Sequence, residues 1–179
     1  MRETLVNWLP HVMERLPDLW EALADTLLMV LWSGAVSFLL GMLLGVLLTV
    51  TRPGNILENR PLYQIVDKAV SLFRSIPFII LLTWVMPLSR TLMGTTLYVR
   101  GAIVPLVFGS VPFFSRQVES ALAELDRGLV EAALSMGSSP WEIIFRVYLR
   151  ESVAAIARGT TITLVSLLNL TAMAGVVGA

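Results

Sequence analysis

Residues 26–51 carry no charged side chain. A bilayer core of about 30 Å needs about 20 residues of helix, so this run is long enough to span with tilt to spare. Hydrocarbon offers no partner to a backbone N–H or C=O, and a single chain segment satisfies its own only as a helix. The run is therefore read as a transmembrane helix. Gly34, Gly41 and Gly45 fall near one face of it, and the Gly41-x-x-x-Gly45 spacing permits a second helix to approach closely.

The pattern recurs along the chain. Thr51-Arg52-Pro53-Gly54-Asn55 breaks the first helix. A second helical stretch begins near Tyr63 and is wholly apolar over residues 75–89, with Pro77 and Pro87 inside it. A third apolar run covers residues 101–115 and holds Pro105 and Pro112. Prolines are tolerated in spans where neighbouring helices satisfy the freed carbonyls. Residues 116–158 are polar, and a last uncharged stretch covers residues 159–179. The expectation is an all-α polytopic bundle with about four spans.

Ahead of the first span, Leu5, Trp8, Leu9, Val12, Met13, Leu16, Leu19 and Trp20 repeat at helical spacing. Residues 1–25 are expected to form an amphipathic helix at the membrane interface, the alternative being a plain extension of the first span. Acidic residues (Glu3, Glu14, Asp18, Glu21) stand where a secretory signal would be basic. The organisation predicted is an interfacial segment 1–25 and a membrane domain 26–179 with a polar loop 116–158.

Composition closes off other chemistry. The chain is 56% hydrophobic and 15% charged, against roughly 45–50% and about 25% for soluble domains. Its 13 basic and 13 acidic residues cancel, which does not suit nucleic acid. There is no cysteine, His11 is the single histidine and Lys68 the single lysine. That excludes thiolate and histidine-cluster metal sites and a Gly-x-x-x-x-Gly-Lys-Ser/Thr phosphate loop. If ATP is used, another chain binds it.

Basic residues set the orientation. With the N-terminus outside, the inner loops hold Arg52, Arg60, Lys68, Arg74, Arg116, Arg127, Arg146, Arg150 and Arg158, and the outer segments only Arg2, Arg15, Arg90 and Arg100. The positive-inside rule then places residues 116–158 in the cytoplasm.

Residues 126–150 read as two short helices with a break between. Asp126 caps the first, Gly137 ends it in a left-handed turn, and Ser139-Pro140-Trp141-Glu142 fits a capping box with proline at the first helical position. Leu129, Val130, Ala133, Leu134 and Met136 are the expected contact face of this knob.

Here the sequence resembles a known family. Glu131-Ala132-Ala133, with Gly137 four residues later and then Val147-x-Leu149, is similar to the "EAA" signature of ABC importer permeases; Arg150 stands where the family usually has proline. Thr51-Arg52-Pro53-Gly54, Phe73-Arg74-Ser75-Ile76-Pro77, Ala102-Ile103-Val104-Pro105-Leu106 and Ala172-Met173-Ala174-Gly175 look like the methionine-importer branch. The resemblance implies a permease homodimer in the bacterial inner membrane, with five spans per subunit, so that a fifth is expected beyond Ala179. It implies a homodimeric ATP-binding subunit below and a periplasmic or lipoprotein substrate-binding protein above. This chain would hold no cofactor, ATP and Mg residing on the partner, and would be no enzyme itself. Leu129, Glu131, Ala132, Ala133, Met136, Gly137 and Pro140 would couple to the ATPase.

On the last span, Met173 stands among small residues, and Asn169 and Ser166 are polar at membrane depth. Such groups tend to face an interior, and these three are the expected pathway residues. Asp67 and Arg74 read as interface anchors. The scarcity of intramembrane charge favours an uncharged substrate: methionine, or else another small uncharged amino acid. A non-transporting membrane scaffold is the rival from a different class.

Overall fold

A computed structural model describes residues 16–176. Helix α1 (Leu16–Thr51) is unbroken. The helix runs without a break through residue 25, so residues 16–25 are helical as expected; the rest of the expected interfacial segment lies outside the described residues. The 36 residues of α1 measure about 54 Å at 1.5 Å per residue. Its break falls where Pro and Gly predict, with Gly54 at φ 80°.

Helix α2 (Arg60–Ser75) starts at Asn59, whose side chain accepts the Leu62 N–H at 3.1 Å, with Pro61 in the first turn. Helix α3 (Phe78–Met93) follows after Ile76 and Pro77. The two axes meet at 110°, because the residue before a proline is driven out of the helical region; Ile76 is extended at ψ 125°. The predicted second span is therefore a bent pair. Its first arm puts polar and apolar residues on opposite sides, and the second arm carries the apolar run.

Helix α4 (Tyr98–Ala123) extends the third run well into the segment expected to be polar, and passes through Pro105 and Pro112 without breaking. Of its apolar window 56% is buried, against 22% for α1 and for the last helix. It is the centre of the bundle, touching α1, α2, α3 and the last helix. Two short helices follow, α5 (Arg127–Ser135) and α6 (Pro140–Glu142). The chain then winds through a π-helical stretch, Ile143–Tyr148, into α7 (Leu149–Glu151) and α8 (Val153–Val176). Among the described residues, three helices are long and apolar enough to cross a membrane, four if the bent pair counts as one span.

Close packing rests on the predicted glycines. A β-carbon on Gly41 would stand 2.7 Å from the Phe114 ring, and one on Gly45 2.5 Å from Val118 Cβ. Phe38 stacks on Phe114 at 5.4 Å. Ser37 and Ser110 share a buried hydrogen bond of 2.5 Å between α1 and α4, and Ser89 donates to the Gly101 carbonyl at 2.6 Å between α3 and α4. The outer side of α1 exposes Leu27, Leu31, Trp32, Leu39 and Leu43, as a lipid-facing surface does.

Candidate functional site

The segment between α4 and α8 folds into a knob at one end of the bundle. Asp126 caps α5, its carboxylate accepting the Gly128 N–H at 2.8 Å. At the other end the Ser138 N–H reaches the Ala133 carbonyl at 3.1 Å and the Gly137 N–H the Leu134 carbonyl at 3.0 Å. This is a full Schellman termination, with Gly137 at φ 80°. The chain then restarts through the predicted capping box: Glu142 Oε2 accepts the Ser139 N–H at 2.9 Å, and Ser139 Oγ accepts the Glu142 N–H at 3.4 Å.

The Ser139 backbone N–H, and after it the Ser139 hydroxyl donating to the same Oε2 at 2.9 Å, hold the Glu142 carboxyl below the usual carboxylate range. A pKa lowered on folding stabilises above the unfolded value and loses that contribution as pH falls through the folded one. Acidification is therefore expected to fray this helix start. Ser139→Ala should weaken it at neutral pH by about 1 kcal/mol, measured as faster amide exchange over residues 140–148.

The exposed face of the knob differs in part from expectation. Leu129 is 46%, Leu134 48% and Met136 78% exposed. Glu131, Ala132 and Gly137 are also exposed, and Pro140 is half-buried. Val130 and Ala133, expected on the outward face, instead turn inward and pack with Leu122, Ile143 and Tyr148. Helix α5 has apolar residues on two sides, and one side is claimed by the chain's own core. Glu131 lines a cavity of about 250 Å³ together with Arg52, Arg127 and Leu134. Arg146 pairs with Glu142 at 3.5 Å along one helix face. The exit at Arg150 needs no proline: the Ser152 N–H bonds the Tyr148 carbonyl at 3.2 Å and the Ile156 N–H the Ser152 carbonyl at 2.8 Å, so the ladder runs almost continuously into α8.

Two polar groupings here lack a local sequence signature. Arg116 donates from Nη2 to Asp67 Oδ1 at 2.5 Å and Ser71 Oγ at 2.8 Å, and from Nη1 to Glu119 Oε2 at 2.6 Å. Asp67 is thus no free interface anchor but half of a clamp between α2 and α4. Buried Tyr148 donates its hydroxyl to Asn55. The one hint is general, that a buried tyrosine O–H finds a partner.

On α8, Ser166, Asn169 and Met173 fall at i, i+3 and i+7, one face of the helix. Ser166 lines a cavity of about 260 Å³ with Phe73, Arg74, Phe78 and Thr163. Asn169 is exposed, and Met173 is 45% exposed. Thr171 lies on another side, buried, with its hydroxyl donating to the Leu168 carbonyl at 2.7 Å. The structure thus gathers the expected pathway residues on one face that the described residues leave largely uncovered.

Comparison with known proteins meets this geometry. The chain is 48% identical over 151 residues to the D-methionine transport system permease protein MetI of Yersinia pestis, covering 84% of this chain and 70% of that protein. It is 42% identical over 163 residues to the methionine import system permease protein MetP of Bacillus subtilis, covering 91% and 73%. A solved structure of inward-facing conformations of the MetNI methionine ABC transporter superposes with a TM-score of 0.88 at 45% identity, over 92% of this chain and 77% of that one. Residues 37–179 match the family described as the binding-protein-dependent transport system inner membrane component. With bundle, knob and relatives in agreement, the chain belongs to that family of membrane transport subunits.

Proposed function

We propose that this chain is the permease subunit of an ATP-driven methionine importer, working as a homodimer with its N-terminus outside. The observation that carries this reading is the knob: a short helix, a left-handed glycine turn and a capped restart, presenting Leu129, Leu134 and Met136 to a partner. Arg52 and Arg127 beside it support a cytoplasmic position. There the knob docks on a separate ATPase dimer, which binds the ATP and magnesium. Glu131 and Gly137 serve as coupling residues, Gly137 by its backbone and Glu131 by its exposed carboxylate. A substrate-binding protein delivers methionine from the opposite side.

Transport proceeds by alternating access. ATP binding draws the two ATPase halves and their knobs together, and the spans rock to open outward. Methionine enters between subunits along the face of Ser166, Asn169 and Met173, and hydrolysis restores the inward state. A flexible thioether side chain such as Met173 packs well around an apolar or thioether ligand.

The test is uptake of labelled methionine by cells lacking their own importers, given this chain co-expressed with a methionine-importer ATPase and substrate-binding protein. Uptake that depends on ATP and is competed by unlabelled methionine is expected. Assembly without methionine uptake would overturn the substrate and direct attention to other uncharged amino acids. Failure of the ATPase to assemble would overturn the permease reading in favour of a scaffold.

A further inference from the structure

Beneath the knob, two side chains 93 residues apart meet, and the function above makes no use of them. Tyr148 is 6% exposed, and its hydroxyl donates to Asn55 Oδ1 at 2.8 Å. Asn55 donates in turn from Nδ2 to the carbonyl of Thr49, in the last turn of α1, at 2.8 Å. The same Oδ1 accepts the Ile56 N–H at 2.7 Å. A hydrogen-bonded relay therefore runs from the restart of the knob to the end of the first span.

The backbone is wound so as to make this contact. Residues five apart on an α-helix lie about 140° apart around the axis, whereas the i→i+5 bonding of a π-helix stacks them. Here the Leu149 N–H bonds the Ile144 carbonyl, five residues back. Ile143 and Tyr148 consequently enter the same buried cluster, beside Phe114 and Val118. Wound as an α-helix, the stretch would turn Tyr148 away and break the relay. π-helical turns are rare and frequent at functional sites, and this six-residue one lies between the knob and α8.

We infer that the Tyr148–Asn55 pair, held by the π stretch, is a positioning link that carries displacement of the knob into the first span. The inference rests on the permease reading above. Without the link the knob still has its exposed contact face, since Leu129, Leu134 and Met136 are untouched. What is lost is a polar, directional tie to α1, leaving apolar contacts that slide more easily.

The test uses the assembled importer in liposomes and counts methionine molecules taken up per ATP hydrolysed. Tyr148→Phe keeps the ring and removes one hydroxyl; Asn55→Ala removes its partner. Both variants are expected to assemble with the ATPase and hydrolyse ATP, with uptake per ATP lowered about three- to tenfold, the range for losing one buried coupled pair. The double variant should fall no further than Asn55→Ala alone, which also removes the bonds to Thr49 and Ile56. An unchanged ratio in Tyr148→Phe overturns the link, as do losses that multiply in the double variant. A lower yield of complex at an unchanged ratio also overturns it, because a merely structural role moves yield alone. If the parent complex itself fails to assemble or to transport, the permease reading fails and the link with it, a result visible before any variant is made.

Discussion

Replacing Gly137 with valine is expected to abolish substrate uptake while the protein still reaches the membrane at parental level. Gly137 sits at φ 80°, where an ordinary L residue costs about 1–2 kcal/mol and a β-branched one is a genuine outlier. The penalty is conformational and not a collision, since nothing lies within 4 Å of a β-carbon built there. The chain escapes the strain by rearranging the turn, which sacrifices the Ser138–Ala133 and Gly137–Leu134 bonds. Leu134 and Met136 then leave their exposed positions on the knob. Insertion depends on the spans and does not feel the change. The origin of the effect makes a graded series the sharpest check. Asparagine tolerates the left-handed region and should retain most uptake, alanine should retain less and valine none. Uptake, ATPase co-purification and membrane content read the three consequences separately. Normal transport by Gly137→Val would remove the basis for treating this turn as part of the coupling site.

The second large effect is expected at Gly45, this time by collision. A β-carbon there would stand 2.5 Å from Val118 Cβ and 2.7 Å from the Ser115 carbonyl oxygen. A backbone oxygen cannot move aside as the end of a side chain can, so Gly45→Val must push α1 away from α4. Overpacking of this kind costs about 1–3 kcal/mol, equivalent to a loss of roughly 2–4 °C in melting temperature per kcal/mol for a chain of this size. Gly34 is the control on the same helix. A β-carbon there meets only Leu164 and Leu167 methyl groups at 3.5 Å, an ordinary contact, and Gly34→Ala should melt with the parent. Thermal unfolding of the two variants in detergent decides the matter, and equal melting temperatures would mean that α1 and α4 are less tightly seated than they stand here.

Local chemistry made much of this legible from sequence. The break at Pro53-Gly54, the Asp126 cap, the left-handed Gly137 and the Ser139–Glu142 box are each written within a few residues. Gly41 and Gly45 announced a close helix approach and have one. Features decided by distant partners were not legible. No local pattern says that Asp67 meets Arg116 across 49 residues, or that Val130 and Ala133 serve the chain's own core while Leu134 does not. The π winding left no trace either, because Ile143-Ile144-Phe145 is apolar at successive positions and carries no periodicity to read. Pro77 was legible as tolerated within a span. Its actual effect, a 110° corner, depended on how the two arms pack.

The unequal helix lengths have a consequence for the surrounding lipid. The uncharged part of α1, residues 26–51, measures about 39 Å, and the 16 residues of α3 measure about 24 Å, against a hydrocarbon core of about 30 Å. One flank of the protein is taller than the bilayer and another is shorter. The long flank is accommodated by tilting or by projecting into water, the short one by drawing the two leaflets together, each at a fraction of a kcal/mol per Å. The molecule therefore wears a wedge-shaped hydrophobic collar, and a thicker or thinner bilayer acts on its two sides in opposite senses. Acyl-chain length is thus a lever on the inclination of this subunit that requires no change in its sequence.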